Sequence, residues 1–520
     1  MKNKNIFSNI FFLLLSVLLF CLSQPSLIFE DGCSFIAWFA YIPVFVLLEK
    51  VSLKKSFIYG ALYGFLSYSL LCWWLSAFGS LAVLFVAFLF SLYNSIVFFL
   101  IVWSRKIIPS KLADFFWIFR AFPFLCMEFL RTKGILAFSY GIIGYSQWKV
   151  PAFLKFASFF GVWGVSFLIV LFGSLSAKII FEHAVRENLK KLTGFFSILL
   201  AIFAYWGISS LVVKKTSSGR IPVVLVQNAS SAKSSSIDDF INDFSLLKKL
   251  TEDAIASHPE TELVVWPETA IVPDILRHLE NSKDSKRKEL SGNLVSYFKS
   301  SKRSFLIGNN HSDGNGIHNS ALYFSPESQS VEAYDKIKLV PFTEYWPRLL
   351  EFMFLDGVKA SLNCEDFVPG DEVKSFRLQN FKFSVPICFE DSFSPLMRKM
   401  KDSGADFFVN ISDDAWAKSE AARKMHLSMS AFRCAEYASP MIRSTIDGKT
   451  CILDAGGKVV SEIDSASDGY LFGEVEIFDS SRTLYFVIGD SLVFGLCVLV
   501  FVFLLILSVR FVKVEVYGRR

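Results

Sequence analysis

The sequence predicts two kinds of structure in one chain: a polytopic α-helical membrane domain of about eight spans, and an extracytoplasmic α/β sandwich. Three observations carry this expectation. The 520 residues are 53% hydrophobic and 16% aromatic, with 57 Phe and a mean hydropathy of +0.44, too apolar for a soluble protein of this length. Apolar stretches of about 18 residues or more, enough to cross a hydrocarbon core roughly 30 Å thick, crowd residues 1–213 and return at 484–509. Between them, residues 220–479 carry charges every few positions, and short apolar runs alternate with turn signals, as in a soluble domain large enough for its own core.

Seven spans are expected before this domain, near 6–23, 34–49, 55–77, 80–103, 114–131, 153–177 and 194–213, and one after it, near 484–509. Short cationic loops stay cytoplasmic and so set the orientation. Lys2 and Lys4, then Lys50, Lys54 and Lys55, then Arg105, Lys106 and Lys111, then Lys178, Arg186, Lys190 and Lys191 mark every second loop. Arg510, Lys513, Arg519 and Arg520 close the set, whereas loops 24–33 and 78–79 carry no Lys or Arg. Arg131, Lys133 and Lys149 weaken the contrast, and Lys214 and Lys215 fall on the other side. With both ends inside and an odd number of spans before it, the large domain is expected outside the cytoplasmic membrane. The apolar run behind Lys2 and Lys4 reads as an uncleaved first span, because no small-x-small cleavage site follows it cleanly. Arg120, Glu128 and Arg131, in or at the end of the fifth span, are costly in hydrocarbon and are expected to face protein or lipid head groups.

In the large domain, "IPVVLVQ" (221–227), "TELVVWPE" (261–268), "SFLIGN" (304–309), "FSVPICFE" (383–390) and "DFFVNIS" (406–412) read as strands, and residues 236–257 as an amphipathic helix. Such alternation argues for sheets covered by helices, with catalytic groups at strand ends. Of the nine cysteines, Cys21, Cys72, Cys126 and Cys497 lie in spans, where a thiol is a small apolar side chain. Cys33, Cys364, Cys388, Cys434 and Cys451 lie outside, where disulfides are possible, but no CxxC or zinc spacing occurs.

Three residues at strand ends or in loops suggest chemistry. Glu268 ends an apolar strand behind Trp266 and Pro267, where a partly dry site suits a general base. Lys336, in "YDKIKLVPFTEYWP" (334–347), sits among packing residues and could hold an oxyanion, with Lys338 a rival for the same task. Cys388 is expected at a strand-to-helix corner, which can expose its sulfur while the backbone N–H groups that follow help to hold an oxyanion. Each has a plainer reading: an exposed acid, a surface lysine beside Asp335, a buried structural cysteine. Their company decides the matter.

"WPET" with Glu268, "YDK" with Lys336 and "ICFED" with Cys388, in that order, resemble the nitrilase superfamily and its Glu-Lys-Cys triad. Within it the chain resembles the apolipoprotein N-acyltransferase family over nearly its whole length. Further matches are "GYSQ" (144–147), "LVPFTEYWP" (339–347), "NISDDAW" (410–416) and residues 426–448, read as one helix. The resemblance implies a nitrilase-like αββα sandwich with Glu268 as general base, Lys336 as oxyanion stabiliser and Cys388 as nucleophile. It also implies supporting roles for Glu344 and Glu390, and for the backbone N–H of Phe389. The chain departs from the family pattern where Phe389 replaces a common Tyr, where "VQNAS" (226–230) replaces Val-Gln-Gly-Asn, and at Phe138-Ser139-Tyr140, where the family often has Phe-Pro-Trp.

The implied activity is transfer of a fatty acyl chain from a phospholipid donor, through a cysteine thioester, to the N-terminal amine of a diacylated apolipoprotein acceptor. The expected setting is a multi-pass monomer in the bacterial cytoplasmic (inner) membrane, its catalytic domain on the periplasmic side, with no metal and no cofactor. A membrane-tethered amidohydrolase that passes the acyl group to water is the alternative. The net charge of +5 follows from the membrane loops and calls for no nucleic acid.

Overall fold

The computed structural model describes residues 2–183, 185–212, 216–229, 236–271, 274–328, 330–347, 364–479 and 482–517. They fall into two compact units, Met1–Val213 with Ser419–Ser428 and Val487–Arg520, and Lys214–Lys418 with Met429–Phe486. Lys214, Lys215, Arg519 and Arg520, which entered the charge argument, lie outside the described residues.

In the first unit, five of the described helices are long and apolar enough to cross a membrane: Ile6–Ser23, Ser80–Ile107, Pro151–Glu182, Val185–Leu211 and Ser491–Val509. Eight continuous spans are not present among the described residues. The expected span 34–49 is split into Ser34–Ala37 and Ile42–Lys50, and 114–131 into Phe116–Phe119 and Phe122–Leu130. Pro43 and Pro123 lie in the first turn of the second helix of each pair, the place where a missing N–H is harmless and a preceding helix cannot run straight through. A nine-residue helix rises only about 13 Å. The expected span 55–77 is helical over Leu53–Leu71 and then tightens to a 3-10 turn, Trp73–Phe78.

Helix Leu53–Leu71 lies against Ser80–Ile107 through a G-x-x-x-G pair. A Cβ on Gly60 would sit 2.4 Å from the carbonyl oxygen of Asn94, and one on Gly64 would sit 2.1 Å from that of Phe90. Only glycine permits this backbone approach. The costly charges of residues 120–131 face protein. Arg120 donates to Glu49 and to the hydroxyl and carbonyl of Ser174. Glu128 accepts the N–H of Ile143 at 2.8 Å, and Arg131 donates to the Tyr68 hydroxyl and to the Tyr140 carbonyl.

The second unit contains two six-stranded sheets. In chain order the first sheet takes β1 (Ser217–Gln227), β2 (Leu263–Val265), β3 (Ser304–Ser312), β4 (Ile317–Phe324) and β5 (Glu332–Asp335). The second takes β6 (Ser375–Leu378), β7 (Phe381–Ser384), β8 (Phe407–Asp413), β9 (Met441–Ile446), β10 (Cys451–Leu453) and β11 (Val459–Glu462). The chain then returns to the first sheet as β12 (Gly469–Phe478), antiparallel beside β1. The strand orders are β12-β1-β2-β3-β4-β5 and β11-β10-β9-β8-β7-β6.

Each sheet has a parallel centre, β1-β2-β3 and β7-β8-β9, and parallel neighbours need long crossovers. These are helical: Ile237–Ser257 between β1 and β2, Ile275–Asn281 and Ser285–Ser300 between β2 and β3, Ser394–Asp402 between β7 and β8, and Glu420–Tyr437 between β8 and β9. The expected helix at 236–257 forms, with Ser236 and Asp239 making a reciprocal capping box. Its Phe240, Leu247 and Ala254 pack with Leu294 and Phe298 of the neighbouring helix on Val224, Val264, Trp266 and Phe305 of the sheet. The other faces of the two sheets meet. Ser444 of β9 donates to the Val226 carbonyl of β1 at 2.7 Å, and the ring of Tyr323 in β4 packs on Phe376 and Phe383 of β6 and β7. The result is the expected αββα sandwich.

The reading of residues 426–448 as one helix is corrected. The helix ends at Tyr437, Ala438 takes a left-handed φ of 47°, and β9 starts at Met441. Pro440 cannot continue a helix, and β-branched Ile442, Thr445 and Ile446 suit a strand between two others.

Candidate active site

The expected site residues leave the ends of strands from both sheets. Glu268 follows β2 after Trp266 and Pro267, in a turn that lies directly against β3. A Cβ on Gly308 would stand 2.5 Å from the Glu268 Cα, so β3 presents bare backbone there. Lys336 follows β5 directly, and its backbone N–H bonds to the Asn319 carbonyl of β4 at 2.8 Å. Cys388 opens the 3-10 turn Cys388–Ser392 beyond β7, with a φ of 52°. That backbone is uncommon for a residue with a side chain and is held in place from outside. Asn410 of β8 does so, donating through Nδ2 to the carbonyls of Pro386 and Cys388, each at 2.9 Å.

Lys336 is 1% exposed, and its Nζ lies 2.9 Å from Glu268 Oε1 and 2.8 Å from Glu344 Oε1. Burial alone would lower its pKa; the facing carboxylates of Glu268 and Glu344 outweigh burial and hold the ammonium well above its ordinary value. The remaining carboxylate oxygens take backbone donors, Glu268 Oε2 from Asp413 at 2.8 Å and Glu344 Oε2 from Val340 at 2.6 Å. Lys338, the rival, is exposed, with its ammonium over the Phe393 ring at 5.9 Å.

Cys388 is buried. Burial pushes its thiol well above the ordinary range, Glu268 pushes it further, and Lys336 opposes them. The resting group is therefore a thiol that needs a base to become a nucleophile. Phe389 places its ring 5.7 Å from Lys336 Nζ and edge-on to Phe393, 5.0 Å between centroids.

Glu390 is fully buried. Its Oε1 accepts the N–H groups of Ile337 and Lys338 at 2.8 and 2.9 Å, its Oε2 accepts that of Ile387 at 2.8 Å, and the Tyr334 hydroxyl reaches both oxygens. It thereby ties the two residues after Lys336 to the residue before Cys388. Burial raises its pKa to about 7 against the pull of these donors.

Several neighbours of the site were not singled out from the sequence. Asn319 donates to both Glu268 and Glu344; it sits in β4 between the polar residues His318 and Ser320, and nothing local in the sequence marks it. Tyr334 stood inside the quoted YDK stretch, and Asn410, Ser412 and Asp414 inside NISDDAW, without roles. Arg443, fully buried in β9, pairs with Asp391 at 2.7 Å and faces Asp414 at 3.6 Å. A single arginine in a strand gives no sequence signal for this.

Residues 16–175 match the family model of the apolipoprotein N-acyltransferase N-terminal domain, and residues 225–482 match that of carbon-nitrogen hydrolases. Among similar proteins, apolipoprotein N-acyltransferase 1 of Treponema denticola is 32% identical over 553 aligned residues, which span 100% of this chain and 99% of the relative. Apolipoprotein N-acyltransferase 1 of Treponema pallidum is 32% identical over 93% of this chain and 92% of its own, and the Borreliella burgdorferi apolipoprotein N-acyltransferase 27% over 96% and 95%. Similarity of this length runs through both the helical unit and the sandwich with its buried Glu, Lys and Cys, and by it the chain belongs to the apolipoprotein N-acyltransferase family.

Proposed function

We propose that this chain transfers a fatty acyl group from a phospholipid to the free N-terminal amine of a diacylglyceryl-cysteine lipoprotein, through a thioester on Cys388. The observation that carries the reading is one buried lysine shared by two carboxylates, facing a buried thiol held on a left-handed corner. The match over residues 16–175 favours a membrane acyltransferase over a tethered amidohydrolase. In this reading the catalytic unit lies on the periplasmic side of the cytoplasmic membrane, where lipoprotein amines are presented. Both substrates then remain lipid-anchored, and no acyl chain crosses water.

The reaction runs in two halves. Glu268 takes the Cys388 proton, and the thiolate adds to the ester carbonyl carbon of the phospholipid. The Lys336 ammonium and the Phe389 N–H carry the oxyanion that forms. The C–O bond breaks, the departing alkoxide takes the proton back from Glu268, and a lysophospholipid leaves behind an acyl thioester. In the second half the lipoprotein amine adds to the thioester carbon and gives a proton to Glu268. The C–S bond breaks, the thiolate recovers that proton, and an amide is released. Glu344 shares the Lys336 charge, so that Glu268 does not neutralise it alone. Glu390 holds Lys336 and Cys388 in register.

The test is intact-mass measurement of the purified protein after mixing with phospholipid, followed by a diacylated lipopeptide. An acyl mass on Cys388 that moves to the lipopeptide amine is expected, and the Cys388→Ala variant should gain none. Loss of the adduct at the same rate without lipopeptide would make the protein a hydrolase instead.

A further inference from the structure

Asn319 stands at the centre of the charge cluster. Its Nδ2 donates to Glu268 Oε1 at 2.7 Å and to Glu344 Oε1 at 2.8 Å, the same two oxygens that Lys336 Nζ reaches at 2.9 and 2.8 Å. The four groups close a ring in which donor nitrogens alternate with carboxylate oxygens. The amide orientation is dictated by these neighbours, since carboxylates only accept and Oδ1 cannot face them. Asn319 is 2% exposed and its Oδ1 has no hydrogen-bond partner among the described residues, so the side chain is placed for its two donors at the expense of its acceptor.

The ring answers an electrostatic problem. Two carboxylates and one ammonium leave a net negative charge in a dry site, and like charges that share one cation tend to hold a proton between them. A proton held on Glu268 would disable it as a base. A neutral side chain with two N–H donors aimed at both carboxylates counters this without adding charge. The titratable and charged groups around the site are Lys336 after β5, Glu344 in the following loop, Cys388 and Glu390 in the 3-10 turn, Asp413 and Asp414 at the end of β8, and Arg443 of β9, which pairs with Asp391 and faces Asp414. Lys336 is the cation that bonds to Glu268 and Glu344, while Arg443 is taken up by Asp391 and Asp414, so the donors of Asn319 matter for the ionisation of the pair.

We propose that Asn319 is a positioning residue that keeps Glu268 and Glu344 ionised together on one lysine, and so sets the lowest pH at which Glu268 can take the Cys388 proton. The inference rests on Glu268 being the base of the proposed reaction. It is tested with full-length protein in phospholipid-containing micelles, following the rate of acyl addition to Cys388 by intact mass from pH 5 to 9. Asn319→Asp keeps the shape but puts a third carboxylate in the ring. The acid limb of its pH profile should move up by about one unit or more, with at least a tenfold loss at pH 7 that recovers in alkaline buffer. Asn319→Ala, which adds no charge, should move the limb in the same direction by less, and it decides the matter if the Asp variant does not fold. A uniform loss with the limb unmoved, or profiles that superimpose on the parent, would overturn the inference while leaving the acyltransferase reading intact. Absence of any Cys388 adduct in the parent protein would overturn both.

Discussion

Two buried glutamates in the same unit are satisfied in opposite ways. Glu268 takes most of its donors from side chains, Lys336 Nζ and Asn319 Nδ2, and a single backbone N–H from Asp413. Glu390 takes three backbone N–H groups and a phenol. Side-chain donors carry or balance charge and yield when a proton moves, whereas backbone donors are fixed by the fold. The difference teaches that burial does not define a role. Glu268 sits in a responsive setting suited to proton transfer, and Glu390 in a rigid one suited to holding two loops together.

The comparison can be broken hardest at its cation. Lys336→Met leaves Glu268 and Glu344 facing each other in a dry site, and should destabilise the unit by about 3–5 kcal/mol and abolish acyl addition. Thermal unfolding together with intact mass would check both, and Lys336→Met combined with Glu344→Gln should recover part of the stability but none of the acyl addition. Next, Glu268→Gln keeps the shape and loses the base. Acyl addition should fall about 10²- to 10⁴-fold with little change in thermal midpoint. A Glu268→Gln protein that acylates Cys388 at the parent rate would remove the distinction drawn above.

The third prediction concerns pH and the rigid partner. The folded-state pKa of Glu390 is raised to about 7 from an ordinary value near 4.5, so the folded protein holds this proton more tightly than the unfolded chain. The stability this group contributes is fully present below about pH 4.5 and is lost as pH rises through 7, by roughly 3 kcal/mol in total. Glu390→Gln should flatten the fall in thermal midpoint between pH 4.5 and 7.5, and an unchanged slope would sink this assignment. The smallest effect is expected at Phe389. Phe389→Tyr restores the hydroxyl common in the family and should change the acylation rate less than about tenfold. Phe389→Ala, which loses the ring beside Lys336, should cost more.

Much of this was legible in the sequence because it is local. Hydropathy marked the helical unit, strand and helix periods marked the sandwich, Glu268 and Cys388 ended recognisable runs, and Lys336 was marked by the packing residues around it. What went unread depends on partners far away in sequence. The break of the second and fifth expected spans at Pro43 and Pro123 needed the neighbouring helices, because an apolar run of 16 to 18 residues reads the same whether it is one helix or two. Asn319 lies 51 positions from Glu268 and 25 from Glu344, and no local pattern connects them.

By itself, then, the sequence determined the two classes of unit and the side chains proposed for acyl transfer, since burial of apolar runs and the chemistry of a thiol, an amine and a carboxyl are written in residue types. Only the tertiary structure decided which lysine is buried, that two acids share it through one asparagine, and that Glu390 joins the lysine loop to the cysteine corner. These are outcomes of strand order, which brings the ends of β2, β4, β5, β7 and β8 to one place and excludes water there.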